Sequence, residues 1–538
     1  MTPHDRLHTF HVHYRDGKDA DRTSLVPLFR ADERHAVESL ARLAYCNPFE
    51  PELIERERSI LGADYVPAGP VWSLRPHAQN TAREQLGAIA ERVAQRTRRL
   101  LLRRRSATAE ELTLYAYVVV YALYQRYGEE LHQLHIDPER GRRRLQCYQR
   151  FCRDVRHFLV LDGVRFPGSV DEAHLFACFF QIRRAFDLIF RHIIGASRPA
   201  ANLRAAVWQS IFTHDMRRYR RSLYRRMHDV TTLVTGPSGT GKELVARAIG
   251  LSRYIPFDPD RETFVANVDG SFHALNLSAL SPTLIESELF GHRKGAFTGA
   301  LEDRVGWLES CPPLGTVLLD EIGEIDASIQ VKLLRVLQTR EFQRIGETKP
   351  RQFQGKLIAS TNRDLATDMR TGRFREDLYY RLCSDLIVTP SLREQLRDSP
   401  DELRNLVLFV SERVVGPDEA ADLADEVLTC VDRDLGADYA WPGNVRELEQ
   451  CVRNVLVRRR YRPPAAQRTR PSEELADALH DGSITAKDLI RRYCTLVYSQ
   501  TRSYQETARR LDLDRRTVKR NIDPGLLERL TAGTDEPA

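Results

Sequence analysis

Two stretches of this 538-residue chain combine the residue types that phosphate chemistry requires. The first is Thr231-Thr-Leu-Val-Thr-Gly-Pro-Ser-Gly-Thr-Gly-Lys-Glu-Leu-Val-Ala-Arg-Ala-Ile249, a β-branched strand running into Gly236-x4-Gly241-Lys242 and then into a helical pattern. Glycines let successive backbone N–H groups wrap a β-phosphate, the helix N-terminus adds partial positive charge, and Lys242 reaches the β/γ oxygens. Gly236, Pro237, Ser238, Gly239, Thr240, Gly241, Lys242 and Glu243 are therefore the nucleotide-binding candidates. Glu243 stands where Ser or Thr usually ligates Mg2+, which leaves phosphate oxygens, waters and Asp320 as the expected metal ligands. The second stretch, Gly315-Thr-Val-Leu-Leu-Asp-Glu321, is an apolar strand ending in two acids. Carboxylates in that position are costly unless they meet a cation or activate a water. Asp320 is expected to hold Mg2+ and Glu321 to orient and polarise the attacking water.

Between them lies Glu286-Ser-Glu-Leu-Phe-Gly-His-Arg-Lys-Gly-Ala-Phe-Thr-Gly-Ala300. Its last six residues, Gly295, Ala296, Phe297, Thr298, Gly299 and Ala300, make no sense as a core element. Glycines near both ends let the backbone turn sharply and change shape, so the hexapeptide reads as a tip presenting Phe297 and Thr298. Composition alone leaves an ordinary surface hairpin open. With a P-loop at this distance, the stretch resembles the AAA+ activators of sigma-54 RNA polymerase, the bacterial enhancer-binding proteins, over roughly residues 203–460 plus a C-terminal segment.

The resemblance implies roles that the residues alone do not. The GAFTGA loop would touch the sigma factor and move with ATP hydrolysis. Glutamate at position 243 is common in that family. Asn276, ending the strand Phe272–Leu277, would contact the catalytic glutamate and couple nucleotide state to the loop; a buried structural Asn is the alternative. Thr361 and Asn362, ending Leu357–Arg363, match sensor I. Arg375 and Arg381 match a pair of arginine fingers reaching the neighbouring subunit's ATP, with a salt bridge to Glu376 or Asp377 as the alternative for Arg375. Arg446, in Trp441-Pro-Gly-Asn-Val-Arg-Glu-Leu448, matches sensor II, and Asn444 can cap the helix that follows.

Other elements must hold these groups in place. Leu203–Met227 reads as a basic linker helix, with Pro199 marking a boundary before it. Residues 390–460 read as a helical lid whose opening turn, Thr389-Pro-Ser-Leu-Arg-Glu-Gln-Leu-Arg397, is an altered version of the family's. Tyr461–Gly482, with prolines at 463, 464 and 471, reads as a linker. Ile484–Gln500 is expected to pack a dimer partner, and Tyr504–Asn521 resembles a Fis-type helix-turn-helix. Arg515, Arg516, Thr517, Lys519 and Arg520 open its recognition helix and suit phosphate and base-edge contacts in a major groove. Asp512 replaces the usual turn glycine, predicting a looser turn.

The N-terminal two hundred residues carry no family signature and read as mostly helical. Thr108-x-x-Glu111 is a capping box before Leu112–Tyr127, and Ser169-x-x-Glu172 caps a helix Ala173–Ile194 closed by Gly195. Its Phe176, Phe179, Phe180, Phe186, Phe190 and Ile193 form a stripe that reads as helix-packing core rather than a ligand pocket. His4, His8, His11 and His13 crowd the terminus without the converging set a metal needs, so a frayed or edge segment is expected. The Arg98–Arg105 and Arg142–Arg144 runs read as solvated helix faces. Nine scattered cysteines without a CxxC pair read as free thiols in a reducing compartment. No signal pattern or bilayer-length apolar run is present, so a cytoplasmic, non-membrane protein is expected. From Ser483 to Pro524 there are ten Lys/Arg against five Asp/Glu, a surplus pointing to nucleic acid at that end.

The expectation is a multidomain chain: a mainly helical regulatory domain (1–200), an α/β P-loop AAA+ subdomain with the GAFTGA loop (203–388), a helical lid (389–460), a linker (461–482) and an all-α helix-turn-helix domain (483–538). The resemblance implies an ATP- and Mg2+-dependent ATPase that converts the closed promoter complex of sigma-54 RNA polymerase holoenzyme to the open one. It would bind double-stranded DNA upstream and form a homo-oligomer, a hexameric ring with a dimeric inactive form. An unknown signal or partner would act on the N-terminal domain. The rivals are a DNA-remodelling AAA+ ATPase, which has no reason to carry GAFTGA, and a non-catalytic nucleotide-switched repressor, which has no reason to keep Lys242, Asp320, Glu321, Arg375 and Arg381.

Overall fold

The computed structural model describes residues 27–65, 81–104, 107–137, 144–167, 170–267, 270–399, 401–436, 439–463 and 484–531, with isolated positions between 475 and 482. The N-terminal histidines, Arg142, Arg143, Ser169, Pro464 and Pro471 lie outside them. The chain divides into two compact units: one of residues 1–236 and 241–390, the other of Pro237–Thr240 and residues 391–538.

At the centre of the first unit is a parallel sheet of five strands: β1 (Thr232–Thr235), β2 (Phe272–Asn276), β3 (Thr316–Asp320), β4 (Lys356–Thr361) and β5 (Asp385–Val388), in the order β5-β1-β4-β3-β2. The three central strands, β1, β4 and β3, are covered on both faces, as parallel strands usually are, while the edge strands β5 and β2 are partly exposed. Successive side chains alternate between two cores. Val317, Leu319, Leu357 and Ala359 join Ile329, Leu333 and Leu378 on one face. Leu318, Ile358, Val234 and Ile387 join Ala246, Ile249, Val207 and Ile211 on the other. Two hairpins stand apart from this sheet, Gly291–His292 with Arg304–Val305 and Glu341–Phe342 with Arg351–Gln352.

The N-terminal region is helical, as its patterning predicts. Thr108 and Glu111 form the expected capping box, opening a helix Ala109–Ile136. The phenylalanine-rich helix is Glu172–His192, capped by Asp171, whose carboxylate accepts from the His174 N–H. Phe176, Phe179 and Phe180 are buried, as core residues should be. What they pack on was not legible. Phe176 and Phe180 meet Phe257 and Phe264, with Phe180 and Phe264 centroids 4.5 Å apart. Those partners come from a short hairpin, Phe257–Asp258 with Thr263–Phe264, that follows the P-loop helix. Gln181 donates to the Ser252 carbonyl at 2.9 Å, and Arg144 and Gln149 both reach Glu262. Two cores therefore each join residues on both sides of position 200.

The expected single helix Leu203–Met227 is corrected to two. A helix Arg198–Phe212, with Pro199 in its first turn, stops where Thr213 takes φ 63°, and Met216–Arg221 restarts under an Asp215 cap. Asp215 accepts from the N–H groups of Arg217 and Arg218, so the polar Thr-His-Asp break out-competes continuation. No helix among the described residues is long and apolar enough to cross a membrane, and all nine cysteines are free thiols.

In the second unit, helices Leu392–Asp398, Glu402–Val415, Ala420–Asp434 and Asn444–Arg458 occupy the expected lid region. The altered opening turn still caps well: Ser391 and Glu394 satisfy each other's backbone N–H groups. Further on come Ala486–Thr501, Tyr504–Leu511, Arg515–Arg520 and Pro524–Thr531.

Candidate nucleotide site and sigma-factor loop

Parallel pairing fixes where the chemistry-bearing strand ends fall. Thr235 is in register with Thr361, Ser360 with Asp320, and Asp320 with Asn276. The start of the P-loop, the two acids and the Thr361-Asn362 pair thus share the carboxyl edge of the sheet, the edge where open α/β sheets bind ligands.

Gly236, Gly239 and Gly241 all have positive φ. A Cβ at Gly236 would collide with Thr389, so glycine is required there by space as well as by conformation. Lys242, 7% exposed, donates from Nζ to the Gly236 carbonyl at 3.1 Å, folding its ammonium back over the loop. Glu243 is held by Arg247 at 2.9 Å on the next turn of the helix.

At the end of β3, Asp320 accepts from the Ser360 hydroxyl at 2.6 Å. Glu321 takes a left-handed conformation, φ 57°, and its Oε2 accepts from the Asn362 backbone N–H at 3.1 Å. A non-glycine residue in that region is strained, and such strain concentrates where a side chain must be aimed. Thr361 is fully buried and accepts from the Arg363 N–H. Asn276 turns its carboxamide oxygen onto Ser278, accepting at 3.0 Å from N and 2.8 Å from Oγ.

Arg375 precedes the helix Glu376–Leu382, and its guanidinium grips Asp377 at 2.7 Å, with both side chains 46% exposed. The intramolecular pair weighed from the sequence is therefore formed, though only as a surface pair. Arg381, on the same helix, is exposed.

The GAFTGA hexapeptide forms a tight turn in which the Gly295 N–H donates to the Ala300 carbonyl at 2.8 Å. Thr298 is exposed, while half-buried Phe297 sits edge-on to His292, with centroids 4.9 Å apart. The sequence reading missed what anchors this loop. The second hairpin clasps it through two backbone bonds, Arg293 N–H to the Ile345 carbonyl and Ile345 N–H to the Gly291 carbonyl. Gly346, φ 76°, lets Ala296 come close enough that an added Cβ would sit 2.9 Å away. Glu309, Arg344, Arg351, Glu347, Arg293 and Asp303 link both hairpins in one ion-pair chain. The sequence signal was present in Arg344-Ile-Gly346, a charged residue and a glycine flanking one apolar anchor.

In the second unit, Arg446 reaches Ser238 Oγ at 3.3 Å, and its N–H donates to the Gly239 carbonyl. The expected cap by Asn444 is corrected: Gly443 holds the cap position, and Asn444 begins the helix at φ 54°. Its carboxamide bridges instead, accepting from the Leu392 N–H and donating to the Ser238 carbonyl at 2.9 Å. Glu447, which the sequence did not single out, accepts from Tyr439, Tyr461 and the Gly443 N–H, fixing the same turn.

At the C-terminal end, Asp512 adopts φ 51°, the conformation a glycine would supply, so the expected loosening is not seen. Asp514 caps the Arg515–Arg520 helix by accepting from the Thr517 N–H at 2.9 Å. Arg515, Arg516, Lys519 and Arg520 are exposed on it, while Val518 is buried. Among the described residues no group of three or more His, Cys, Asp or Glu could hold a metal by itself.

Comparison with known proteins finds likeness over the central part of the chain. The sigma-54 interaction domain family matches residues 211–387. The Nif-specific regulatory protein of Azotobacter vinelandii is 44% identical over 227 residues, 42% of this chain and 40% of that protein. The transcriptional regulatory protein ZraR of Klebsiella oxytoca is 40% identical over 300 residues, 54% of this chain and 62% of that protein. The chain thus spans less than two thirds of the length of these curated relatives. A crystal structure of NtrX from Brucella abortus aligns over 72% of this chain and 80% of its own, at 23% identity and a TM-score of 0.36, too loose a likeness to bear on function.

Proposed function

We propose that the chain is an ATPase that uses hydrolysis to drive the GAFTGA loop against sigma-54 and so open promoter complexes of its polymerase. The single observation carrying this reading is the joint presence, in one compact unit, of a nucleotide-type strand edge and an anchored GAFTGA turn.

In this reading Gly236–Gly241 and Lys242 bind the phosphates, and Arg446 acts as sensor II beside Ser238. Glu321 polarises the attacking water, held ready by its bond to the Asn362 N–H. Thr361 and Asn362 report the γ-phosphate, and Asn276 exchanges Ser278 for Glu321 as the nucleotide state changes. Asp320, at the same strand edge, fits the Mg2+ that accompanies ATP; Glu243, engaged by Arg247, does not compete for it. When bound, that ion neutralises charge on the β/γ oxygens.

Arg375 and Arg381 act on a neighbouring subunit's nucleotide, with Arg375 released from Asp377 on assembly. Supply in trans calls for a homo-oligomeric ring, here a hexamer formed from dimers. The exposed basic residues of Arg515–Arg520 contact double-stranded DNA upstream of the promoter. The functional boundaries follow: regulatory helices to 200, ATPase 203–388, lid 389–460, linker 461–482 and DNA reader 483–538, in a cytoplasmic protein.

The test is ATP turnover per subunit against protein concentration. It should rise steeply as rings form. Turnover that is constant from nanomolar to micromolar protein would refute catalysis in trans.

A further inference from the structure

Of the buried polar atoms left without a hydrogen-bond partner in the N-terminal region, two share the wall of one cavity. The Tyr45 hydroxyl and the Trp208 indole N–H are shielded from solvent and meet no hydrogen-bond partner among the described residues. Native interiors rarely leave such groups orphaned. Both residues line a cavity of about 100 Å³ between the Ala109–Ile136, Glu172–His192 and Arg198–Phe212 helices. The rest of the wall combines aromatic rings, among them Tyr121, Phe179, Phe186 and Phe212, with aliphatic side chains and a polar side that carries Glu57 and Arg83.

The Tyr45 ring cannot easily swing away to find a partner. Arg220 lies 5.3 Å over it and Tyr117 packs edge-on at 4.7 Å. Arg220 and Cys178, both on the cavity wall, are among the groups acting on its hydroxyl. An apolar cavity of roughly 150 Å³ accepts benzene, so about 100 Å³ suits one smaller ring or a branched chain of that bulk. The wall supplies apolar contact, and its two orphans ask for an acceptor.

We propose that this cavity is a binding site for a small, mostly apolar molecule, about one five-membered ring in size, whose acceptor oxygen takes hydrogen bonds from Tyr45 and Trp208. Trp208 and Phe212 lie on the helix that packs against the P-loop helix Lys242–Gly250 and edge strand β5. As a regulatory input the site rests on the ATPase reading above; as a binding site it does not.

The experiment measures melting temperature and calorimetric binding of the full chain without nucleotide. Cyclopentanone is the probe, and cyclopentane, which lacks the acceptor, is the control. Cyclopentanone is expected to raise the melting temperature and to bind at least about tenfold more tightly than cyclopentane, since one good hydrogen bond alone is worth that much and two donors meet its oxygen. Tyr45→Phe should bind both with that preference reduced at least threefold, and Cys178→Met, which fills the cavity, should bind neither. Should either variant fold poorly, tryptophan emission of the unaltered protein should shift with cyclopentanone and not with cyclopentane. Binding of neither probe, or equal binding of both, overturns the proposal.

Discussion

The Glu321 carboxylate accepts the backbone N–H of Asn362 at 3.1 Å, tying the acid at the end of β3 to the residue that follows β4. Glu321 is held in a left-handed conformation, and this bond helps decide where its half-buried side chain points. Glu321→Gln keeps the shape and can still accept from Asn362, but is a far weaker base. Turnover should fall at least about 100-fold while ATP affinity stays within a few-fold. Equilibrium nucleotide binding beside a phosphate-release assay separates the two, and residual hydrolysis above a tenth of the original rate would remove Glu321 from its role.

Thr298 is exposed at the tip of the loop. Thr298→Ala should leave ATP turnover within about twofold and abolish nucleotide-dependent capture of sigma-54. A pull-down in the presence of a transition-state analogue reads the second effect. Intact capture would reassign the loop.

Arg375 is paired only at the surface, where solvent screens the ion pair, so releasing it on assembly costs little. Arg375→Ala should lower turnover on the order of a thousandfold. Mixing Arg375→Ala with Glu321→Gln should restore part of the rate, because some interfaces then pair an intact acid with an intact arginine. No recovery in the mixture would place both groups on one subunit's nucleotide.

Glu262 joins the N-terminal helices to the hairpin behind the P-loop helix. Hydrogen bonds first from Arg144 and then from Gln149 hold its carboxyl at about 2, below the free value of 4.5. A depressed carboxyl contributes stability that is complete above 4.5 and lost as pH falls through 2. The protection of the amides of residues 257–264 against hydrogen exchange, relative to the intrinsic rate at each pH, should therefore fall between pH 4.5 and 2, and Glu262→Gln should flatten that dependence. An unchanged profile in the variant would detach the clamp from this titration.

Phe180, 1% exposed and tilted against Phe264, bridges the two sides of position 200. Phe180→Ala should cost about 3–5 kcal/mol. The loss should appear in the ATPase unfolding transition, followed by denaturant titration of ATP binding, as well as in the helical transition. A loss confined to the helices would separate the cores. The same packing bears on truncation: a fragment starting at residue 200 uncovers Ile255, Phe257 and Phe264, and should be less soluble than the full chain.

Local chemistry made much of this legible. Glycine spacing, two acids ending an apolar strand and a capping box each specify a conformation within a few residues, and β1, β3, β4 and the Thr108 cap appear where those signals stand. Gly295–Ala300 was legible for a different reason, since a small-residue tip with one aromatic has no core use. The misses were long-range. Nothing local says that Phe176 and Phe180 bury against residues some eighty positions later, or that Ile345 clasps Arg293. Asn444 misled because an Asn before a helical run is a good cap in isolation, whereas here its carboxamide is taken by Leu392 and Ser238. The break at Thr213 was hidden by the arginines on both sides of it, which favour helix equally well.

The most direct test of the central claim is promoter opening itself. Sigma-54 RNA polymerase on a supercoiled sigma-54 promoter, given the full chain and ATP, should acquire permanganate-reactive bases around the start site. A non-hydrolysable ATP analogue should yield none. Vigorous ATP hydrolysis with the promoter still closed would contradict the account, leaving an ATPase whose mechanical target is not sigma-54.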